Sequence, residues 1–224
     1  MQISLYDVQG QTLRVGIRRG EKTRAPLLIF NGIGANIELV QPFLDALDGP
    51  EAIIFDVPGV GGSPSPWLPY RPSSLARLSA QLLDQLGRAQ VDVLGLSWGG
   101  ALAQQFAFQQ GERCRRLVLA ATSPGHLMVP ANLTVLLKMA TPRRYKDSKY
   151  MESIAGDIYG GALRGSPELV HSYLRHVRWS SDYGYYLQLL AGCGWKIVSS
   201  KWQVPLCRHS RSPVLLTQAG RGPA

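Results

Sequence analysis

The residues best suited to chemistry stand together at Gly95-Leu96-Ser97-Trp98-Gly99-Gly100. A serine with glycine two positions away on each side fits a strand-to-helix turn so tight that the flanking positions cannot carry a Cβ, and such a turn holds the hydroxyl clear of the backbone. The chemistry is nucleophilic: Ser97 Oγ adds to a carbonyl carbon, and the tetrahedral oxyanion that results needs donors already aimed at it. Two backbone amides suit that task. One is the N–H of Trp98, directly after the serine; the other is that of Ile33 in Asn31-Gly32-Ile33-Gly34, a glycine loop that follows an earlier apolar run. Gly32 and Gly34 are read with Gly95 and Gly99 as glycines of the site. The alternatives are that residues 31–34 form an ordinary βα turn and that Trp98 is a wall of an acyl pocket.

A second glycine stretch, Asp56-Val57-Pro58-Gly59-Val60-Gly61-Gly62-Ser63, has neither the lysine of a phosphate loop nor G-x-G-x-x-G spacing. It reads as a structural loop in which Asp56 accepts hydrogen bonds from turn amides. No cofactor or metal is called for. Cys114, Cys193 and Cys207 are an odd, unevenly spaced set, unlike a disulfide framework or a metal knuckle, and read as reduced thiols.

The elements that must position the serine follow from periodicity. Alternating segments at 3–7 and 12–17 flank Gly10 and predict a hairpin. Continuous apolar runs at 26–30, 52–55, 91–94 and 117–120 predict parallel strands buried on both faces. Helical spacing over 37–47, a helix capped by Ser73 and running to 86, and another over 101–110 fill the intervals. This alternation predicts an α/β fold with a doubly wound, mostly parallel sheet. From 124 to 195 the strand rhythm stops, and helices are expected at 133–139, 168–177 and 185–190, an inserted cap. The division expected is a core over 1–123, a helical cap over 124–195, and a core remnant with an atypical basic tail over 196–224, in which 214–217 is one more strand.

The chain has 224 residues, 45% of them apolar, enough for one substantial core. Its 24 Lys and Arg against 15 Asp and Glu give +9, but the basic residues are scattered and no nucleic-acid motif accompanies them, so the charge reads as solvated surface. The first ten residues read as a strand rather than a secretory signal, and no apolar run is long enough to span a bilayer. A cytoplasmic protein is the expectation, with oligomeric state left open.

Together LLIFNGIGANIELVQPF, FDVPGVGGS, LSWGGALAQQFA, RLVLAAT, PRRY, IYGG and GYYLQLLAGCGW resemble the intracellular medium-chain-length poly(3-hydroxyalkanoate) depolymerases, α/β-hydrolases, over residues 5–202. The resemblance implies a serine ester hydrolase at the surface of storage granules that cuts polyesters of 3-hydroxy fatty acids through an acyl-enzyme. It makes Ser97 the nucleophile and Ile33 and Trp98 the oxyanion donors. Apolar residues of the cap, Leu127, Met128, Val129, Leu136, Leu137, Met139 and Trp179, offer an approach to an insoluble polymer or pack the cap onto the core. The alternatives are a carboxylesterase or lipase on small or medium-chain esters, and an inactive granule-associated protein.

The sequence departs from that pattern toward its end. A triad serine works with an imidazole and a carboxylate, ordered Ser, acid, His in this architecture. Where the family has its acid, after the strand at 214–217, stand Gln218-Ala219-Gly220-Arg221-Gly222-Pro223. None of His126, His171, His176 and His209 sits in the expected Gly-His setting, and residues 203–224 contain no Asp or Glu. The catalytic acid and histidine are therefore not identified. The expectation is a truncated or frame-shifted terminus lacking a last strand and helix, with impaired activity.

Overall fold

The computed structural model describes residues 1–122, 133–159, 166–178, 181–193 and 214–217. Leu127, Met128, Val129, Trp179, His126, His209, Cys207 and the stretch 218–224 lie outside them.

A hairpin opens the chain: β1 (Gln2–Val8) pairs antiparallel with β2 (Gln11–Arg18). Gly10, at φ +79°, occupies its turn, a backbone region that glycine enters without a Cβ penalty. The expected buried strands follow as β3 (Leu27–Phe30), β4 (Ala52–Phe55), β5 (Val91–Leu96) and β6 (Cys114–Ala120), and β7 is Val214–Thr217. They form one seven-stranded sheet in the order β1-β2-β4-β3-β5-β6-β7. β2 meets β4 antiparallel, and every pairing from β4 to β7 is parallel. The chain leaves β3 for β4 on one side and returns to β5 on the other, so the connections after β3 and β5 part at a switch point, where open α/β sheets form their crevice.

Helices cover both faces. α1 (Gln41–Ala46) continues a short 3₁₀ turn, Ile37–Val40, where a single helix over 37–47 was expected. It packs Ile37, Val40 and Leu44 on Ile29, Ile54 and Leu94. α2 (Pro72–Gln85) and α3 (Trp98–Gln109) cover the other face with Leu75, Leu82, Leu83 and Phe106. Two starts differ from the expectation. α2 begins at Pro72, whose fixed φ suits a first helical position, and Ser74 rather than Ser73 accepts from the Arg71 amide at 3.0 Å. α3 begins at Trp98, not Ala101: Gly99 and Gly100 have no side chains to reveal a helical period, yet both lie within the helix.

Between β6 and β7 lie α4 (Leu133–Met139), α5 (Arg143–Lys146), α6 (Ser148–Ile158), α7 (Pro167–Leu174) and α8 (Asp182–Cys193). Met151, Ile154, Ala155 and Val170 make a small core of their own. A second cluster, Ile33, Tyr145 and Tyr185 with Trp98, Met139 and Tyr173 against it, joins these helices to the loop after β3. Asp147 caps α6 by accepting from the Tyr150 amide at 3.0 Å.

Candidate active site

Ser97 sits between the end of β5 and the start of α3 with φ 52° and ψ −118°, a strained conformation for a residue with a Cβ. What enforces it is packing. A Cβ on Gly99 would lie 2.1 Å from Phe30 O, one on Gly95 2.6 Å from Gly100 Cα, and one on Gly100 2.3 Å from Thr122 Oγ1. The helix is thus pressed onto the strand ends, and the serine makes the turn between them.

The loop after β3 lies alongside, because Phe30 and Gly95 are in register. Asn31 fixes it: its amide nitrogen donates to Asn36 O and its oxygen accepts from the Gly32 amide, both at 2.9 Å. Gly32 differs from the other glycines, since a Cβ there would meet only Ser97 Cβ at 3.8 Å and Leu96 O at 3.9 Å. The space it leaves open is the space beside the serine. Ile33 and Trp98 border the same turn, and neither amide is engaged by an acceptor among the described residues. For Trp98 that follows from its place in the first turn of α3, where N–H groups have no carbonyl one turn back. The macrodipole of α3 adds partial positive charge at that end.

A cavity of about 410 Å³ opens beside Ser97. Leu39, Val40, Leu96 and Ala120 line it from the sheet side, and Met139, Arg144, Tyr145, Ile158, Tyr159 and Tyr173 from the inserted helices. Its walls are mostly apolar, which suits an acyl chain. The inserted helices also hold the loop. The Ile33 carbonyl accepts from Tyr145 OH at 2.6 Å and from Arg144 Nη2 at 3.1 Å, while the amide of the same peptide unit, Gly34 N, donates to Gln188 Oε1 at 2.6 Å. One peptide plane next to the Ile33 N–H is therefore clamped at both its polar ends. Gln188 is tied in turn, its carbonyl accepting from Trp98 Nε1 at 2.8 Å, so the indole is turned to α8 and does not line the cavity. Burial pushes the Tyr145 phenol well above its ordinary range, with Arg144 opposing, and pushes Tyr185 up to about 12. Both remain neutral donors, Tyr185 to Met139 O at 2.6 Å.

Sequence reasoning brought Ser97, Ile33, Trp98 and their glycines to one place and missed the clamp. Gln188 carries a signal in retrospect: it is the lone polar residue of Leu187-Gln188-Leu189-Leu190 and is fully buried. Arg144 and Tyr145 fall in the PRRY segment of the family resemblance, but nothing in it pointed to a contact with the Ile33 loop. The proton acceptor stays unassigned. Among the described residues that line the cavity there is no imidazole or carboxylate. His171 pairs with Glu152 at 3.0 Å and His176 Nδ1 contacts Ser172 O at 2.7 Å, both away from the cavity.

Asp56 does what the loop reading expected, accepting from the Ile37 and Gly62 amides at 2.8 Å, and it also receives Arg14 Nη1 at 2.9 Å. It is a structural buried carboxylate, far from any phosphate-loop arrangement.

Comparison with known proteins agrees with this geometry. Residues 25–200 match the alpha/beta hydrolase fold family. A poly(3-hydroxyalkanoate) depolymerase of Ectopseudomonas oleovorans is 54% identical over 190 residues, 84% of this chain and 67% of that protein. A 3-oxoadipate enol-lactonase of Acinetobacter baylyi is 27% identical over 164 residues, 65% of this chain and 61% of that one. Among solved structures, a hydrolase from Pseudomonas aeruginosa superposes with a TM-score of 0.72 at 23% identity, covering 96% of this chain and 79% of its own. An enol-lactonase from Burkholderia xenovorans does so at 0.70 and 18% identity, covering 96% and 80%. These last two speak for the fold alone. With the family match over most of its length and the close relative named above, the chain belongs to the alpha/beta hydrolase family and, within it, to the group of the poly(3-hydroxyalkanoate) depolymerases.

Proposed function

We propose that this protein hydrolyses the ester bonds of poly(3-hydroxyalkanoate) through an acyl-enzyme on Ser97, with the Ile33 and Trp98 amides holding the oxyanion. The observation that carries the reading is the strained Ser97, partly exposed at the mouth of a mostly apolar cavity and flanked by two unengaged amides. Attack by Oγ forms a tetrahedral centre whose negative oxygen meets these two donors, which are fixed before the reaction and need no reorganisation. Collapse expels the hydroxyl end of the neighbouring monomer, and water then releases the acid. The division into a core over 1–123 and a cap over 124–195 belongs to this reading, the cap supplying one wall of the cavity.

The polymer is insoluble, so the enzyme must meet it at a surface. On α4, Leu133, Leu136 and Leu137 are 70, 48 and 65% exposed, an apolar face suited to a polyester granule. No helix among the described residues is long and apolar enough to cross a membrane. The test is hydrolysis of p-nitrophenyl octanoate and release of 3-hydroxy acids from a polymer suspension. Ser97→Ala is expected to abolish both, and Leu136→Ser with Leu137→Ser to lower partition onto the suspension while sparing the soluble ester. Equal turnover by the unmodified protein and Ser97→Ala rules out the serine mechanism.

A further inference from the structure

Arg143 and Arg144 are adjacent and behave oppositely. Arg143 is exposed and paired with Asp147 at 2.9 Å, as surface arginines commonly are. Arg144 is 1% exposed and lines the cavity with Ser97. Its Nη2 donates to the Ile33 carbonyl, whereas Nε and Nη1, equally buried, have no hydrogen-bond partner. A guanidinium keeps its charge at any working pH. No carboxylate among the described residues pairs with it or lines the cavity. The rings of Tyr145 and Tyr185, with centroids 4.8 and 5.7 Å from its Cζ, replace part of the lost hydration. The Tyr145 hydroxyl also accepts from Nη2 at 3.3 Å, which leaves Nε and Nη1 as the idle donors. A buried cation with idle donors is costly in the free protein, and a ligand that brings the anion relieves that cost.

The surroundings define the anion. The site has one positive charge, so it matches a monoanion better than a phosphate dianion, and a carboxylate oxygen can accept from an idle Nε or Nη1 hydrogen. Leu39, Val40, Leu96 and Ile158 along the same cavity take an apolar chain. Arg144 and Ser97 border the same loop at residues 31–34, so an acid held by the first places its neighbouring atoms near the second. Resting on the ester-hydrolase reading above, we propose that Arg144 anchors the free carboxylate at the end of a 3-hydroxyalkanoate chain. Ser97 then attacks the ester one unit inward. The Oγ–acyl bond forms as the ester C–O bond breaks; the terminal unit leaves as a 3-hydroxy acid, its new hydroxyl proton replacing the one lost by the serine. Water cleaves the acyl-enzyme and exposes a fresh carboxylate on the shortened chain. The enzyme works inward from the acid end, one monomer per cycle.

The test is binding, independent of turnover: calorimetric affinity of 3-hydroxyoctanoate, of its linear dimer with a free carboxylate, and of the methyl ester of each. The acids are expected to bind about tenfold or more tightly than their methyl esters, the dimer at least as well as the monomer. Arg144→Gln should bring acid and ester to equal affinity, and Arg144→Lys, which keeps the charge without the guanidinium's donor geometry, should retain part of the preference. Ser97→Ala should keep the whole preference, which separates this proposal from the fate of the serine mechanism. Equal binding of acid and ester by the unmodified protein, no binding of either acid, or a preference that survives Arg144→Gln overturns it. So does a preference confined to the monomer, which would make the site one for free product. A residue that only braces the Ile33 loop would not discriminate an acid from its ester.

Discussion

Four glycines around one serine have two different reasons for being glycine, and the difference is measurable. At Gly99 the obstacle is backbone, Phe30 O at 2.1 Å from an added Cβ, and neither strand nor helix can yield without dislodging the other. Gly99→Ala is expected to destabilise by about 3 kcal/mol or more, an overpacking cost in a site with no room to relax. At Gly32 the added methyl meets Ser97 Cβ at 3.8 Å, an ordinary contact. Gly32→Ala should leave the denaturant midpoint unchanged or slightly raised, because alanine restricts the unfolded chain. It should nonetheless lower kcat/KM roughly 10²-fold, since the methyl occupies the approach to the serine and displaces the reacting carbonyl. Loss of folding in Gly32→Ala, or normal activity in it, would contradict this assignment. The motif around Ser97 announced that glycines were needed. It could not separate the packing glycine from the one that leaves room for substrate, because that depends on what each position faces across a gap of tens of residues.

At the scale of elements, the site joins a strand-loop-helix core to helices inserted later in the chain. The core half was legible because each of its parts is local: β5, Ser97 and α3 are consecutive, and β3 runs straight into the Ile33 loop. The other half depends on Tyr145 and Gln188 reaching back over a hundred residues, and no local period encodes that. Its energetics are directional. Tyr145 OH and Gln188 Oε1 hold the carbonyl and amide of the 33–34 peptide unit, which fixes how the preceding N–H points. Gln188→Leu leaves the Gly34 amide buried without an acceptor, and Tyr145→Phe leaves the Ile33 carbonyl on Arg144 alone. Both variants should fold. Both should lose about tenfold or more in kcat with KM moved far less, because the oxyanion is present only in the transition state. A change in KM alone would mean that these residues shape the cavity rather than aim the donor.

Across the whole molecule, the inserted helices are also fastened to the core by charge. Arg14 on β2 bonds Asp56 after β4 at 2.9 Å and Glu38 at 2.5 Å; Glu38 also receives Asn36 and Arg178, and Asn36 accepts from the Arg178 amide and donates to His176 O. The residues come from four separate parts of the sequence, and for that reason the cluster could not be read there; only the role of Asp56 in its own loop could. Burial alone would raise the Glu38 carboxyl, but the hydrogen bonds from Arg14 and Asn36 outweigh it and hold the group down at about 2, against an ordinary 4.5. A carboxyl lowered on folding stabilises the protein fully above its unfolded value, and that contribution is lost as pH falls toward the folded one. Burial pushes the neighbouring Asp56 upward instead, so the acid limb of the unmodified protein alone mixes opposite contributions. Glu38→Gln isolates the one of interest. Urea midpoints of the two proteins should differ most at pH 7, in favour of the unmodified chain, and the gap should narrow steadily from about pH 5 toward pH 2. A gap that stays constant over that interval would show that the ionisation of Glu38 is not what stabilises the fold, and the fastening of helices to core would then have to rest on Asn36.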